Sequence, residues 1–197
     1  MSNHKEIKLS LAGDERADEL ISQNLFALLI GMVLDQQIPL DRAFYAPYLL
    51  AERLGIELTP EAILEVDTEG LYRAFTEKPA LHRFPIAMAD RVLNLSHLLL
   101  EKYQNVNSLL EGAQNGRELL KRLTELPGFG IQKAKIFLAL CGKQLSLECP
   151  GWEEASAPFG EPGSLLSIAD ITDKDSLQKV RANKKLLKEQ AKSQKIN

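Results

Sequence analysis

Leu126-Pro127-Gly128-Phe129-Gly130-Ile131-Gln132-Lys133-Ala134 is the stretch that decides how this chain is organised. Four leucines between residues 119 and 126 recur at helical spacing, and an apolar run follows from residue 136 to residue 140. Pro127 and Gly128 end the first helix, and Gly130 begins the second. The pattern therefore predicts two helices joined by a very short turn.

The chemistry of this turn predicts an anion site. Glycine lets the backbone take a positive φ and approach a ligand closely. The free N–H groups at the N-terminus of the second helix, together with the helix dipole, favour a phosphate there. Such a site carries no information about bases, and an ordinary helical hairpin would have the same spacing. The predicted phosphate-binding residues are Gly128, Phe129, Gly130, Gln132 and Lys133.

The composition is that of a globular protein. The chain has 197 residues, of which 45% are hydrophobic and 26% charged, enough to bury a sizeable core. The apolar run over residues 25–34 is too short to span a membrane, and no basic segment with a cleavage site precedes it. We therefore expect a cytoplasmic protein without a membrane partner.

The two cysteines, Cys141 and Cys149, limit the cofactors that the chain can hold. Two thiols cannot complete a four-thiolate iron–sulfur cluster, and their spacing does not match a paired-cysteine zinc site. Cys141 lies in the apolar stretch and is predicted to be a core residue. We expect no metal and no other cofactor.

The charge is distributed unevenly along the chain. The formal net charge is −3, but residues 179–197 contain seven cations and one anion. That end therefore carries 7 − 1 = +6, and the remainder carries −3 − 6 = −9. One basic end on an acidic body is compatible with a DNA contact and equally with a solvated tail.

The periodicity of apolar residues predicts an all-α fold, because no alternating pattern appears after the first dozen residues. Gly55 is expected to end one helix, and Thr59 with Pro60 to begin the next. A single unit over residues 1–197 is predicted. Its parts are a central helical bundle over about 25–125, the helical hairpin over 117–142, a loop over 146–166 and a basic C-terminal helix over 172–191.

Together these residues resemble the helix-hairpin-helix (HhH-GPD) superfamily of base-excision DNA glycosylases. The resemblance covers about residues 25 to 185 and is closest to small bacterial members without an iron–sulfur cluster, which share the strings DQQ, KPALHRFP and LPGFGxQKA. It implies a multi-helix glycosylase fold and a location at the bacterial nucleoid. It also implies that the turn at Gln36 and Gln37 reads bases, and that a wedge loop fills the gap left by a flipped base. That loop is Leu81-His82-Arg83-Phe84.

Two departures from the family pattern limit the catalytic assignment. Members that also cleave the strand have a Schiff-base lysine where this chain has Gln132. Lys133 is one position further on and is turned by about 100° on a helix, so it is predicted to be a phosphate-binding or surface lysine. The usual position of the catalytic Asp is occupied by Pro150. Asp170 becomes the first catalytic candidate if residues 146–166 are an insertion, or it only caps the last helix; Asp35 is the second candidate.

The resemblance implies a monofunctional DNA glycosylase, expected to be a monomer, that acts on double-stranded DNA containing a base lesion. It would extrude one nucleotide and hydrolyse its N-glycosidic bond. Two alternatives remain open at the level of sequence. The first is a non-catalytic protein that recognises damaged or bent DNA through the hairpin, and the second is an all-α interaction protein with no role on DNA.

Overall fold

The computed structural model of the protein describes residues 7–193, with only the backbone of Lys192, and it contains no β-strand within that range. The all-α prediction is therefore confirmed. A short 3-10 helix covers Ile168–Asp170. The α-helices of the described residues are α1 (Glu15–Gln23), α2 (Leu25–Leu34), α3 (Leu40–Leu54), α4 (Pro60–Glu65), α5 (Thr68–Thr76), α6 (Pro85–Tyr103), α7 (Val106–Glu111), α8 (Gly116–Thr124), α9 (Ile131–Gln144), α10 (Trp152–Ser156) and α11 (Lys174–Ser193).

Helix α2 lies at the centre of the bundle. Nine of its ten residues are buried, and α1, α3, α6 and α7 pack around it. A helix that is apolar on every side must be covered on every side, which explains its place in the core. Within residues 7–193 no single helix is long and apolar enough to cross a membrane; α1 and α2 reach that length and composition only as a pair bent by 114°.

Local signals set several helix ends as expected. Gly55 caps α3 in the left-handed region with φ 64°, which glycine adopts without steric cost. The Thr59 side chain accepts a hydrogen bond from the Ala62 N–H at the start of α4, and Pro60 occupies the first helical position. These two predicted boundaries are confirmed because each depends on interactions within a few residues.

Helices α8 and α9 form the predicted hairpin, joined by the hairpin turn of residues 125–130. The Phe129 N–H donates to the Leu126 carbonyl at 3.0 Å, and Gly128, with φ 81°, follows Pro127 inside that turn. Proline then glycine with a positive φ is the pattern of a type II turn. The Phe129 ring is buried and meets Phe137 edge-to-face at 5.9 Å. The turn is thereby anchored to α9.

Residues 146–166, predicted to be a loop, instead contain α10 and pack on the hairpin. The Gly116 N–H at the start of α8 donates to the Pro150 carbonyl at 2.8 Å. The Trp152 ring lies directly on Gly142 of α9, where a side chain would overlap it. Most of the segment is irregular, as predicted, but the prediction misses α10 because a five-residue helix is too short to show a helical period. The segment fills the space between α8 and α9.

Candidate functional site

Three segments that are distant in sequence meet at one end of the bundle. They are the last turn of α2, the hairpin turn and the first half of α6. A Cβ atom built on Gly128 would lie 3.6 Å from Cδ of Arg91 and 3.9 Å from Cγ1 of Val33. These are ordinary van der Waals distances, so the hairpin turn rests directly on α2 and α6. Most of the residues singled out from the sequence lie near this junction.

Lys133 points into the junction and not to the surface. Its Nζ donates to the carbonyl oxygens of Met32 at 2.5 Å and of Val33 at 3.4 Å, in the last turn of α2. A cation is favoured there because the carbonyl end of a helix carries partial negative charge. Gln132, one position earlier, is exposed. The Lys133 ammonium group is therefore bonded within the protein and does not stand free at the surface, whereas its predicted contact with a phosphate stays a prediction.

Asp35 caps the C-terminus of α2 and is half-buried. It follows Val33, whose carbonyl oxygen Lys133 contacts, by two residues. Burial raises the pKa of the Asp35 carboxyl above 3.8, while the positive charges of Lys133 and Lys184 act in the opposite direction. Burial lowers the pKa of Lys133 below 10.5, and Asp35 opposes that shift. Burial therefore shifts the pKa of each group toward its neutral form, and the charge of each group opposes the shift of the other. Ionisable groups whose pKa values burial shifts are found at functional sites and also in structural ion pairs.

The two glutamines that follow Asp35 have different environments. The Gln36 amide donates to the Val33 carbonyl at 2.8 Å, so this side chain is turned back on α2. Gln37 is exposed and has φ 58°. A residue other than glycine in the left-handed region carries conformational strain and often marks a functional position. Of the two predicted base-reading glutamines, Gln37 alone extends from the protein.

The predicted wedge loop also contains both buried and exposed residues. Leu81 and His82 are each 2% exposed, so they are not available to enter a DNA duplex, and their assignment to the wedge is corrected. Arg83 and Phe84 are exposed, and the Arg83 guanidinium lies over the Phe84 ring at 5.3 Å. Phe84 is 45% exposed. The surface therefore presents an aromatic ring and a cation at this loop.

The second helix of the hairpin begins without a side-chain cap. Gly130 occupies the N-cap position of α9, and no side chain accepts a hydrogen bond from the first turn. A Cβ atom at Gly130 would meet nothing within 4 Å, so the space beside it is open to a ligand. The Phe129 N–H is used inside the hairpin turn. Other amides at this end of α9 are therefore the better donors to an anion.

Asp170 is enclosed by donors from its own neighbourhood. One carboxylate oxygen accepts from Lys143 Nζ at 2.6 Å, and the other accepts from the Leu166 N–H at 2.9 Å. The Ser164 hydroxyl and the Ser167 N–H also donate to it. The Asp170 side chain is only 6% exposed. Asp170 therefore closes the segment from residue 164 onto α9. It does not cap the last helix, because it lies in the 3-10 helix and Asp173 accepts the hydrogen bond from the Ser176 N–H in the first turn of α11.

The Asp170 cluster is also distant from the hairpin turn. Lys143 follows Lys133 by ten residues on α9, which corresponds to about 15 Å along a helix axis. Asp170 pairs with Lys143, whereas Asp35 lies near Lys133. The two predicted carboxylates are therefore held at different ends of α9. Of the two, only Asp35 lies at the end of α9 that begins at Gly130.

A cavity of about 520 Å³ lies away from these residues. It is lined in part by Ile21, Leu25, Cys141 and Leu145, at the first turn of α2 and the last turns of α9. None of the residues predicted from the sequence as site residues lines it. In residues 7–193 no group of three or more His, Cys, Asp or Glu side chains is arranged to hold a metal ion.

Comparison with known proteins yields no match: no family model, no curated protein and no solved structure is significantly similar to this chain.

Proposed function

We propose that this protein is a monofunctional DNA glycosylase that hydrolyses the N-glycosidic bond of a flipped damaged or mispaired base. One observation carries the proposal: a half-buried carboxyl, Asp35, lies with Lys133 beneath a hairpin turn whose second helix begins uncapped and open. The open terminus suits a phosphate, and the carboxyl suits chemistry on the sugar attached to it. The hydrogen bond from Lys133 to the Met32 carbonyl joins the two helices that carry these features, although 101 residues separate its two partners in sequence.

The proposed grip on DNA uses backbone groups first. The amides at Gly130 and the first turn of α9 would hold a phosphate of the lesion strand, with Gln132 exposed beside them. Phe84, with Arg83 against its ring, would enter the space left by the flipped base, as apolar side chains do in other bent duplexes. Gln37 would contact the neighbouring base edges. Base flipping is the ordinary way to expose a glycosidic bond inside a duplex.

Asp35 would act on water at the reacting sugar. Its carboxylate takes a proton from a water molecule whose oxygen forms the new bond to C1′, while the bond from C1′ to the base nitrogen breaks. The base leaves with the electron pair of that bond and is then protonated, and an abasic site remains. A raised pKa makes a carboxylate a stronger base, and the nearby ammonium of Lys133 keeps the ionised form accessible. The carboxylate also stabilises positive charge that develops on the sugar.

A non-catalytic protein that recognises damaged or bent DNA is the second candidate. The enclosure of Asp170 by Lys143 and its other donors favours it, because the first catalytic candidate has no free acceptor directed to a ligand. The same hairpin turn would then bind phosphates without any reaction on the sugar.

The test is base release from duplexes that carry uracil, hypoxanthine, alkylated purines, oxidised purines or oxidised pyrimidines, with hot alkali to reveal abasic sites. We expect the wild type to release one class of base and Asp35→Asn to lose release while it still binds the duplex. Tight binding with no release from any duplex would favour the non-catalytic protein. Absence of both binding and release would overturn the role on DNA.

The monofunctional part of the proposal has its own test. Strand cleavage without alkali, together with covalent trapping by borohydride, would show that an amine attacks the sugar. We expect neither with the wild type. If trapping occurs and is lost in Lys133→Gln, the protein also cleaves the strand. Lys135→Gln is the matched control, since Lys135 lies on the same helix and its Nζ donates to the Ala157 carbonyl at 3.0 Å, outside the junction.

A further inference from the structure

One partly buried arginine, Arg91 of α6, differs from the others in its bonding. Within the described part of the chain the partly buried arginines are Arg53, Arg91 and Arg122. Arg53 donates to the Ala74 carbonyl at 2.6 Å, and Arg122 donates to the Gly112 carbonyl at 2.6 Å. Among the described residues no acceptor bonds the Arg91 guanidinium, and none of its nitrogen atoms is buried without a partner. Its donors therefore face solvent.

Arg91 packs on the hairpin turn. A Cβ atom built on Gly128 would lie 3.6 Å from both Cδ and Nη1 of Arg91, and Gly128 is itself exposed. The neighbouring Ala89 and Val92 are buried, so α6 fixes the point from which the Arg91 side chain starts. Arginine lays its methylene stem on a surface while its charged head stays in water. The guanidinium is thereby placed at the surface of the turn.

The open start of α9 lies two residues beyond this contact. Gly130 begins the helix with no side-chain cap, and a Cβ atom there would meet nothing within 4 Å. Because consecutive Cα atoms are about 3.8 Å apart, the Cα atoms of Gly128 and Gly130 are separated by at most about 7 Å. The backbone donors of α9 and the guanidinium of Arg91 are therefore neighbours at one exposed turn.

We infer that the Arg91 guanidinium binds the DNA phosphate held at the hairpin turn, an inference that rests on the proposed function. A guanidinium presents parallel N–H groups that match two phosphate oxygens, whereas the amides at the start of a helix supply only partial charge. Arg91 adds a full positive charge with donors directed to solvent, while the Lys133 ammonium already donates to carbonyl oxygens of α2. Such a contact positions the duplex without reading its bases.

The test measures the salt dependence of binding to a duplex with a central tetrahydrofuran abasic site. Arg91→Met keeps an unbranched stem on the turn and removes the charge, whereas Arg91→Lys keeps the charge. Arg117→Met is the matched control, since Arg117 is exposed in the first turn of α8, at the other end of the hairpin. We expect Arg91→Met to reduce the slope of log affinity against log salt by about 0.9. Arg91→Lys and Arg117→Met should keep the wild-type slope.

A second measurement locates the phosphate. Neutral methylphosphonate linkages are placed singly along each strand, and the wild type is compared with Arg91→Met on every duplex. We expect a position at which the neutral linkage weakens the wild type about tenfold or more and reduces the difference between the two proteins. A purely structural role would instead lower the melting temperature of Arg91→Met and leave that difference equal at every linkage.

The remaining outcomes separate this inference from the proposed function. A wild-type slope in Arg91→Met, in a protein that still binds the duplex, would overturn the role of Arg91 and leave the proposed function standing. An equal reduction in Arg117→Met would also overturn that role, because the loss of any cation would then have the same effect. A wild type that neither binds the duplex nor releases a base would overturn both.

Discussion

His82 Nε2 lies 2.8 Å from the carbonyl oxygen of Gln36, and its Nδ1 accepts a hydrogen bond from the Phe84 N–H at 3.0 Å. Because Nδ1 accepts, the proton of the neutral ring is on Nε2 and is donated to Gln36. One buried imidazole thus joins the turn that follows α2 to the loop of residues 81–84. The distance between the exposed side chains of Gln37 and Phe84 therefore depends on His82, which the sequence analysis assigned to the wedge.

This bridge predicts a loss of stability in mild acid. Burial lowers the pKa of His82 below 6.5, although its bond to Gln36 acts in the opposite direction. The unfolded chain therefore binds the proton more tightly than the folded chain. The stability that neutral His82 contributes is fully present above pH 6.5 and decreases as the pH falls through the folded-state pKa of His82. Urea unfolding across this range should show a smaller pH dependence in His82→Gln; equal dependence would exclude His82 as the cause.

Gly130→Ala should separate binding from folding. A Cβ atom there meets nothing within 4 Å, and the residue is not in the positive-φ region, so the melting temperature should stay within the range of ordinary surface changes. The methyl group would occupy the open space where a phosphate is proposed to approach. We expect DNA affinity to fall about tenfold or more, equivalent to at least about 1.4 kcal/mol. Wild-type affinity would mean that the phosphate does not bind there.

Gly142→Ala should lower the stability of the fold. Alanine in place of glycine inside a helix normally adds about 1 kcal/mol of stability, but here the new Cβ would overlap the Trp152 ring. We expect overpacking to dominate and to lower the free energy of unfolding by about 1–3 kcal/mol. Intrinsic Trp152 fluorescence, from the single tryptophan, should report the displaced ring. A more stable Gly142→Ala protein would contradict the contact.

Asp35→Asn should increase stability while it removes activity. The raised pKa of Asp35 means that the folded chain holds this proton more tightly than the unfolded chain. The ionised Asp35 carboxylate therefore lowers the stability of the fold progressively as the pH rises above 3.8 and through the folded-state pKa of Asp35. Above that window the variant should be the more stable protein, and below it the two should converge. A less stable variant at neutral pH would show that Asp35 supports the fold.

Asp170→Asn should act on stability and not on chemistry. The variant leaves Lys143 without its carboxylate in a mostly buried position, and breaking a buried ion pair costs about 3–5 kcal/mol. Urea unfolding should show this loss, while the fraction that remains folded should still release base. A variant of wild-type stability that no longer releases base would restore Asp170 as the catalytic residue. Lys143→Met/Asp170→Leu tests whether apolar replacement recovers stability.

Much of the fold could be predicted from local signals. Pro127, Gly128 and Gly130 act within a few residues, so the hairpin turn was predictable, and the same is true of the caps at Gly55 and Thr59. The segment over residues 146–166 was not, because α10 forms against α8 and α9 and leaves no period in the sequence. Local chemistry specifies a turn, whereas packing specifies such a short helix.

The candidate site likewise has features that local sequence determines and features that depend on tertiary packing. The sequence by itself determined an all-α chain with an uncapped, glycine-bounded helix terminus and a polar turn after a buried helix. Only the tertiary structure decided that Lys133 faces α2, that Asp35 lies beside it and that Asp170 is paired elsewhere. The position of a residue in a helix determines the direction in which its side chain leaves the helix axis. What that side chain meets, and hence its pKa and chemistry, depends on which distant segment the core packs against it.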